Sequence, residues 1–281
     1  MSTAAAVTTT PPPQTQAARE TVVEFKDVWK RYSNKEILAG VNLTIFRGEV
    51  LCVLGPSGTG KSVTLRHING LTQPDEGEVL VFGESVVGLS EEQLAPIRRR
   101  MTMLFQGGAL FDSMNVEQNI AFPIVEHTDK PPEEVARLVA EKLQMVGLPG
   151  TQLKMPSELS GGMRKRVALA RSIALEPEII LYDEPTTGLD PVTSEKIGQL
   201  IKDLNVRLKT TSVVVTHDVV MARTVADRVA FLHQGRFQFI GTFSAAARST
   251  QPILQDYFRA MGFPCGTGMV PVVRENELNG R

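Results

Sequence analysis

The octapeptide Gly55-Pro56-Ser57-Gly58-Thr59-Gly60-Lys61-Ser62 constrains this chain more than any other stretch. It satisfies G-x-x-x-x-G-K-[ST], the pattern of a loop that cradles phosphate. Glu49 to Leu54, just before it, is a short apolar run suited to a buried parallel strand. Val63 to Ile68, just after it, suits a helix that Gly70 would stop. Gly55, Gly58 and Gly60 let the backbone curl until successive N–H groups point at one anion. The helix start adds its positive dipole end and unpaired N–H groups. Lys61 is expected to reach the β- and γ-phosphates, and the Ser62 hydroxyl to ligate Mg²⁺. The loop from Gly55 through Pro56, Ser57, Gly58, Thr59 and Gly60 to Val63 is therefore read as the site of a nucleoside triphosphate. A chance glycine turn would not carry a strand and a helix on the correct sides.

Composition narrows the setting. The chain has 281 residues, is 42% hydrophobic and carries a net charge of −1, so no global field draws it towards nucleic acid. Arg98-Arg99-Arg100 is a local exception and reads as a solvated helix end. Cys52 and Cys265 are too few for a disulfide framework, and a reduced compartment is expected. The four histidines show no metal-ligand spacing. There is no basic-then-apolar leader, and no apolar run approaches the ~20 residues that cross a bilayer. Any membrane role is expected to be exercised from the side.

In chain order, residues 1–20 are rich in Ala, Thr, Pro and Gln and read as a disordered tail. Val22 to Phe25 and Val28 to Tyr32 suggest two strands, and Ile37 to Ile45 alternates like a half-buried one. A strand from Glu78 to Phe82 and a helix opened by Ser90 follow, and then an apolar strand, Met101 to Phe105. From Gly107 to about Ser157 the chain reads as loop-rich and then helical. The helix there starts at Pro131-Pro132 and ends at Gly147. Another helix opens at Leu159-Ser160-Gly161-Gly162, and Val192 to Leu208 and Val219 to Ala226 are further helices. Strands from Glu178 and from Ser212 alternate with them, and a hairpin from Arg228 to Ile240 turns at Gln234-Gly235. The fold class is α/β, a P-loop NTPase core with a mostly parallel sheet, an antiparallel β edge and an α-helical subdomain over about 107–160. The core spans 21–241 and the remaining 242–281 is a C-terminal extension. In it Ile253, Leu254, Tyr257, Phe258 and Met261 share a helical face, expected to dock on this subunit or its twin and to strengthen a dimer. Gly262 to Arg281 reads as a mobile tail.

A second constellation lies far from the P-loop. Ile179-Ile180-Leu181-Tyr182-Asp183 is an apolar strand ending in a carboxylate that could hold Mg²⁺, and Glu184 one step on could polarise an attacking water. With Leu159 to Gly162 placed before that strand, the sequence resembles the ATPases of ABC transporters. Gln106 resembles their Q-loop, Gly188-Leu189-Asp190 their D-loop, His217 their H-loop and Tyr32 the A-loop aromatic that stacks on adenine. The motifs stand in the family's order between about Val22 and Gly241. Singly, His217 would read as a strand-end histidine and Tyr32 as a packing residue; their order lifts both.

The resemblance implies a homodimer that sandwiches ATP and Mg²⁺. Ser160, Gly161 and Gly162 of one copy would close on the γ-phosphate in the other's P-loop, beside the D-loop Asp190. Gln106 would sense Mg²⁺ and water, Glu184 would act as base, and His217 would hold the γ-phosphate. Met163 replaces the usual Gln of the signature, yet the Ser160 hydroxyl and the glycine N–H groups remain, so ATPase competence is expected. The resemblance also implies a separate integral-membrane permease and a place on the cytoplasmic face of the inner membrane. Leu110, Phe111 and Met114 are expected to be exposed towards that permease, the alternative being that they fill the core of the helical insert. Gly-Thr-Gly-Lys-Ser-Val in the P-loop, Phe105-Gln106-Gly107-Gly108-Ala109-Leu110-Phe111-Asp112-Ser113-Met114-Asn115-Val116 and Leu159-Ser160-Gly161-Gly162-Met163 look closest to the MCE/Mla-type phospholipid transporters, which implies an MCE-domain partner. An amino-acid or other small-solute importer is the alternative. A non-transport ABC ATPase acting on nucleic acid or ribosomes is remote, given the near-zero charge and the absence of zinc-type cysteines.

Overall fold

The computed structural model describes residues 19–263, and the expectations for the rest of the two tails and for Cys265 lie outside these described residues. Two sheets form. The first is antiparallel: β1 (Thr21–Tyr32) lies between β2 (Lys35–Phe46) and β4 (Glu76–Val81), with the short β5 (Glu84–Ser85) at its edge. The second has β3 (Val50–Leu54), β6 (Met101–Leu104), β7 (Ile179–Asp183), β8 (Thr211–Val215) and β9 (Arg228–His233) in parallel, in the order β9-β3-β8-β7-β6. The antiparallel β10 (Arg236–Gly241) closes the β9 edge. Its hairpin turns at Gln234 and Gly235, both with positive φ (47° and 73°), as a two-residue turn matched to strand twist requires.

Every residue of β3, β7 and β8 is buried. Alternate side chains point to opposite faces of a sheet, so each strand serves two cores. Cys52, Ile180, Tyr182 and Val214 pack on one side with most of the helices. Leu51, Val53, Leu181 and Val213 pack on the other with the antiparallel sheet, α1 (Lys61–Ile68) and α2 (Glu91–Arg99). Continuous apolar runs are what this two-sided burial demands.

Two local expectations change. The two N-terminal strands are one irregular strand, β1. Its register shifts between Phe25 and Val28, where Asp27 takes φ 48° and the Asn42 side chain accepts its N–H at 3.0 Å. The bulge, not a turn, breaks the apolar pattern. Second, the loop-rich stretch holds a helix, α3 (Val116–His127). Pro123 lies inside it and masked the periodicity, but Asn115 and Gln118 form a reciprocal capping box, with bonds of 2.8 and 2.9 Å. Val116, Ile120 and Ile124 are its buried stripe, packed with α4 (Pro132–Met145) and α5 (Gly161–Ser172).

The loop before α3 is pinned by Asn119, which is fully buried. Its amide accepts from the Phe111 N–H (2.8 Å) and donates to the Phe111, Met114 and Asn115 carbonyls (3.1, 2.9 and 3.0 Å). Asn119→Ala strands those groups and is expected to cost about 1–3 kcal/mol. The measurement is the urea midpoint, which should fall with little change in the m-value; an unmoved midpoint would mean the loop holds itself.

The C-terminal side carries α6 (Pro191–Leu208), α7 (Val219–Val225), α8 (Phe243–Ala247) and α9 (Pro252–Ala260). The apolar face of α9 docks on this subunit: Leu254, Tyr257 and Phe258 are buried, and Ile253 packs beside them, whereas Met261 stays exposed. Arg98 and Arg100 are not free in solvent. Arg98 bonds the Asn69 carbonyl and Glu91, and Arg100 pairs with Glu178 while lying 3.6 Å from the Phe82 ring centre.

Candidate active site

Parallel strands bring their carboxyl ends to one edge, and the site follows from which strands are neighbours. β8 lies between β3 and β7, so the segments after all three emerge side by side. After β3, Gly55 has φ 153°, and a Cβ there would stand 2.2 Å from the Leu232 carbonyl oxygen, so only glycine fits. Ser57 and Gly58 form the exposed crest of the loop, and Thr59 ties it by donating to the Pro56 carbonyl at 2.9 Å. Gly60 (φ 99°) leads into α1, where Lys61 and Ser62 stand at the helix start and Val63 packs towards the core.

The Lys61 ammonium is buried and donates to the Gly55 and Pro56 carbonyls at 2.9 and 3.0 Å. Burial pulls its pKa below the usual lysine value, while the charges of Glu184 and Asp183 oppose the shift. The Ser62 hydroxyl donates to Asp183 Oδ1 at 2.7 Å, joining the P-loop to the end of β7. Glu184 comes next, with a left-handed φ of 49°. Its Oε2 is 2.8 Å from His217 Nδ1 and 3.3 Å from the Thr187 hydroxyl, and its Oε1 is 3.9 Å from Lys61 Nζ. Lysine and serine from the start of α1, two carboxylates from the end of β7 and a histidine after β8 thus form one cluster of hydrogen bonds and ion pairs. Such a cluster can grip a polyphosphate, ligate a hard cation through oxygen and accept a proton from water.

The other sequence-derived residues lie outside that cluster. Tyr32 ends β1, 47% exposed, with the Lys30 ammonium 5.4 Å from its ring centre. Gln106 is exposed just after β6. Ser160 is the exposed N-cap of α5, its Oγ accepting from the Met163 N–H at 3.2 Å, and Gly161 follows. A Cβ on Gly162 would stand 2.7 Å from the Thr193 methyl, so the start of α5 abuts the start of α6. Asp190 caps α6 through the Thr193 N–H at 3.0 Å. Met163 packs against the helical core, which gives its apolar side chain a role that an amide could not fill as well.

Sequence reasoning missed two cations of α5. Lys165 donates to the Gln106 carbonyl and Arg171 to the Gly108 carbonyl (3.1 Å), so the signature helix holds the segment after β6 at two points. Burial lowers the pKa of both. Nothing local announces which carbonyl a helical cation will meet; only the tertiary fold supplies it. Leu110, expected to be exposed, packs against the core, and Met114 is half-buried. Phe111 is 41% exposed and lies against Phe122, ring centres 5.0 Å apart, with Arg171 5.6 Å from the Phe111 ring.

The chain is similar to known proteins. The ABC transporter family model matches residues 38–187. A Mycobacterium leprae protein called a probable ribonucleotide transport ATP-binding protein is 44% identical over 235 residues, 84% of this chain and 68% of its own length. The Escherichia coli K12 protein called the intermembrane phospholipid transport system ATP-binding protein MlaF is 43% identical over 236 residues, 84% of this chain and 88% of its own. Among solved structures, a dimeric ATP-binding cassette in a post-hydrolysis state bound to ADP and phosphate matches with a TM-score of 0.72 and 37% identity. That match covers 79% of this chain and 98% of the other.

Proposed function

The chain belongs to the ABC transporter family as an ATP-hydrolysing cassette, and on that premise we propose that it drives a separate membrane permease moving phospholipid in an MCE/Mla-type system. The observation that carries the reading is the bonded cluster of Lys61, Ser62, Asp183, Glu184 and His217. Two copies would pair head to tail, each P-loop closed by the Ser160–Gly162 helix start of its mate and flanked by Asp190. The exposed N-cap of α5 supports this, because a helix N-terminus favours phosphate. Cassettes in the family work with permeases, and among the described residues no helix is long and apolar enough to cross a membrane. The protein would sit on the cytoplasmic face of the inner membrane, with an MCE-domain component as further partner.

The chain's own groups divide the work. Lys61 trades its two loop carbonyls for the β- and γ-phosphates, the P-loop N–H groups hold the remaining oxygens, and Tyr32 stacks on the base. Glu184 takes the proton of the attacking water. His217, oriented by its bond to Glu184, holds the γ-phosphate in line. Ser62, Asp183 and Gln106 offer the hard oxygen donors that fit Mg²⁺. The ion would supply charge neutralisation at the phosphates.

The Phe111–Phe122 pair, an exposed aromatic surface on a segment pinned from beneath by Asn119 and Arg171, supports permease docking there. The names of the two relatives differ on cargo, ribonucleotide against phospholipid. The segment from Phe105 to Val116 favours phospholipid. The test is affinity isolation of this chain from detergent-solubilised membranes, followed by identification of the permease and of any bound lipid. A permease with co-isolated phospholipid is expected. A permease with a soluble amino-acid-binding protein would favour the small-solute reading, and ribosomes or nucleic acid would end the transport reading.

A further inference from the structure

We infer that Tyr257, on α9 and beyond the span of the family match, is a positioning residue for ATP hydrolysis: its hydroxyl fixes the backbone of His217. The inference rests on the reading of His217 given above. The His217 side chain is 51% exposed, so packing alone does not aim the imidazole. Its Nδ1 is held by Glu184, and its own carbonyl is held from the other side by the Tyr257 hydroxyl, which donates to it at 3.3 Å across 40 residues of sequence. A bond on that carbonyl sets the peptide plane next to the Cα that carries the ring.

The phenol is itself firmly placed. Its ring is buried and tilts against Phe231 of β9, centres 4.9 Å apart, and its neighbour Phe258 meets Phe243 edge-on at 5.6 Å. Burial pushes the phenol up to about 12, so it stays a proton donor throughout the working pH range. The Gly55 backbone, at the start of the P-loop, opposes that rise without cancelling it. The hydroxyl therefore holds the segment after β8, a strand paired with the P-loop strand β3 up to Val53 and Val215. The C-terminal helix is in this way part of the hydrolysis machinery, not only a lid on the core.

Tyr257→Phe in the full-length chain is the test, since it keeps the ring and its packing and removes only the hydroxyl. Phosphate release is measured against MgATP well below the melting temperature, with His217→Ala alongside. We expect kcat to fall roughly 3–10-fold, the value of one net hydrogen bond, with KM for ATP and the folded fraction unchanged. Tyr257→Leu should lower kcat and the melting temperature together, which Phe does not. A native kcat in Tyr257→Phe, beside a crippled His217→Ala, overturns the inference alone. So does a raised KM with native kcat, which would mean that the hydroxyl acts on the P-loop, or a rate loss explained by unfolding. A native rate in His217→Ala overturns the reading of His217 beneath it.

Discussion

Glu184→Gln is expected to lower steady-state ATP hydrolysis by roughly 10²–10⁴-fold, the range a positioned general base contributes, while ATP still binds. The substitution is close to isosteric. A glutamine oxygen can still accept from His217 Nδ1, now 2.8 Å from Oε2, and from the Thr187 hydroxyl at 3.3 Å. The Lys61 ammonium, 3.9 Å from Oε1, loses an attractive charge but keeps the Gly55 and Pro56 carbonyls. What disappears is proton affinity, because an amide cannot take a proton from water at neutral pH. Uncut ATP should then hold the proposed pair of copies closed, visible as an ATP-dependent dimer in gel filtration. A variant that turns over at the native rate would remove Glu184 as the base.

Lys61→Ala should fail one step earlier, at binding. The ammonium is the only cation bonded inside the P-loop among the described residues, and it already sits against the loop's own carbonyls. Exchanging those for phosphate oxygens forms charge-assisted bonds worth about 1.5–3 kcal/mol. Its loss should therefore weaken ATP roughly 10–150-fold and bring hydrolysis down with it. Calorimetric titration with ATP in the presence of EDTA separates this binding defect from any effect on Mg²⁺. The fold should survive, because Lys61 joins neither hydrophobic cluster. An unchanged affinity would mean that the triphosphate lies elsewhere.

Much of this was legible before the structure. The runs from Glu49 to Leu54, Glu178 to Glu184 and Ser212 to Thr216 could be read as strands because two-sided burial makes their centres continuously apolar. Once they are parallel, the acids and the histidine must reach the edge that the P-loop occupies. Less legible was whatever depends on which element lies opposite. Pro123 argued against a helix that the Asn115–Gln118 box and three buried side chains easily sustain. Leu110 reads as exposed in the sequence because the core it packs against is assembled from distant elements. Tyr257 was visible only as one member of an apolar stripe. Its stripe determines that α9 docks, but the partner of its hydroxyl is decided by where the loop after β8 ends. The same is true of Lys165 and Arg171, whose carbonyl partners lie 59 and 63 residues away.

The left-handed backbone at Glu184 has an evolutionary side. A side chain with a Cβ pays about 1–3 kcal/mol to stay in that conformation, whereas glycine would adopt it freely. With Glu184 as the proposed base, a glycine at this position would give a sturdier but inert protein. The acid proposed to take the proton thus stands where backbone energetics alone would favour glycine.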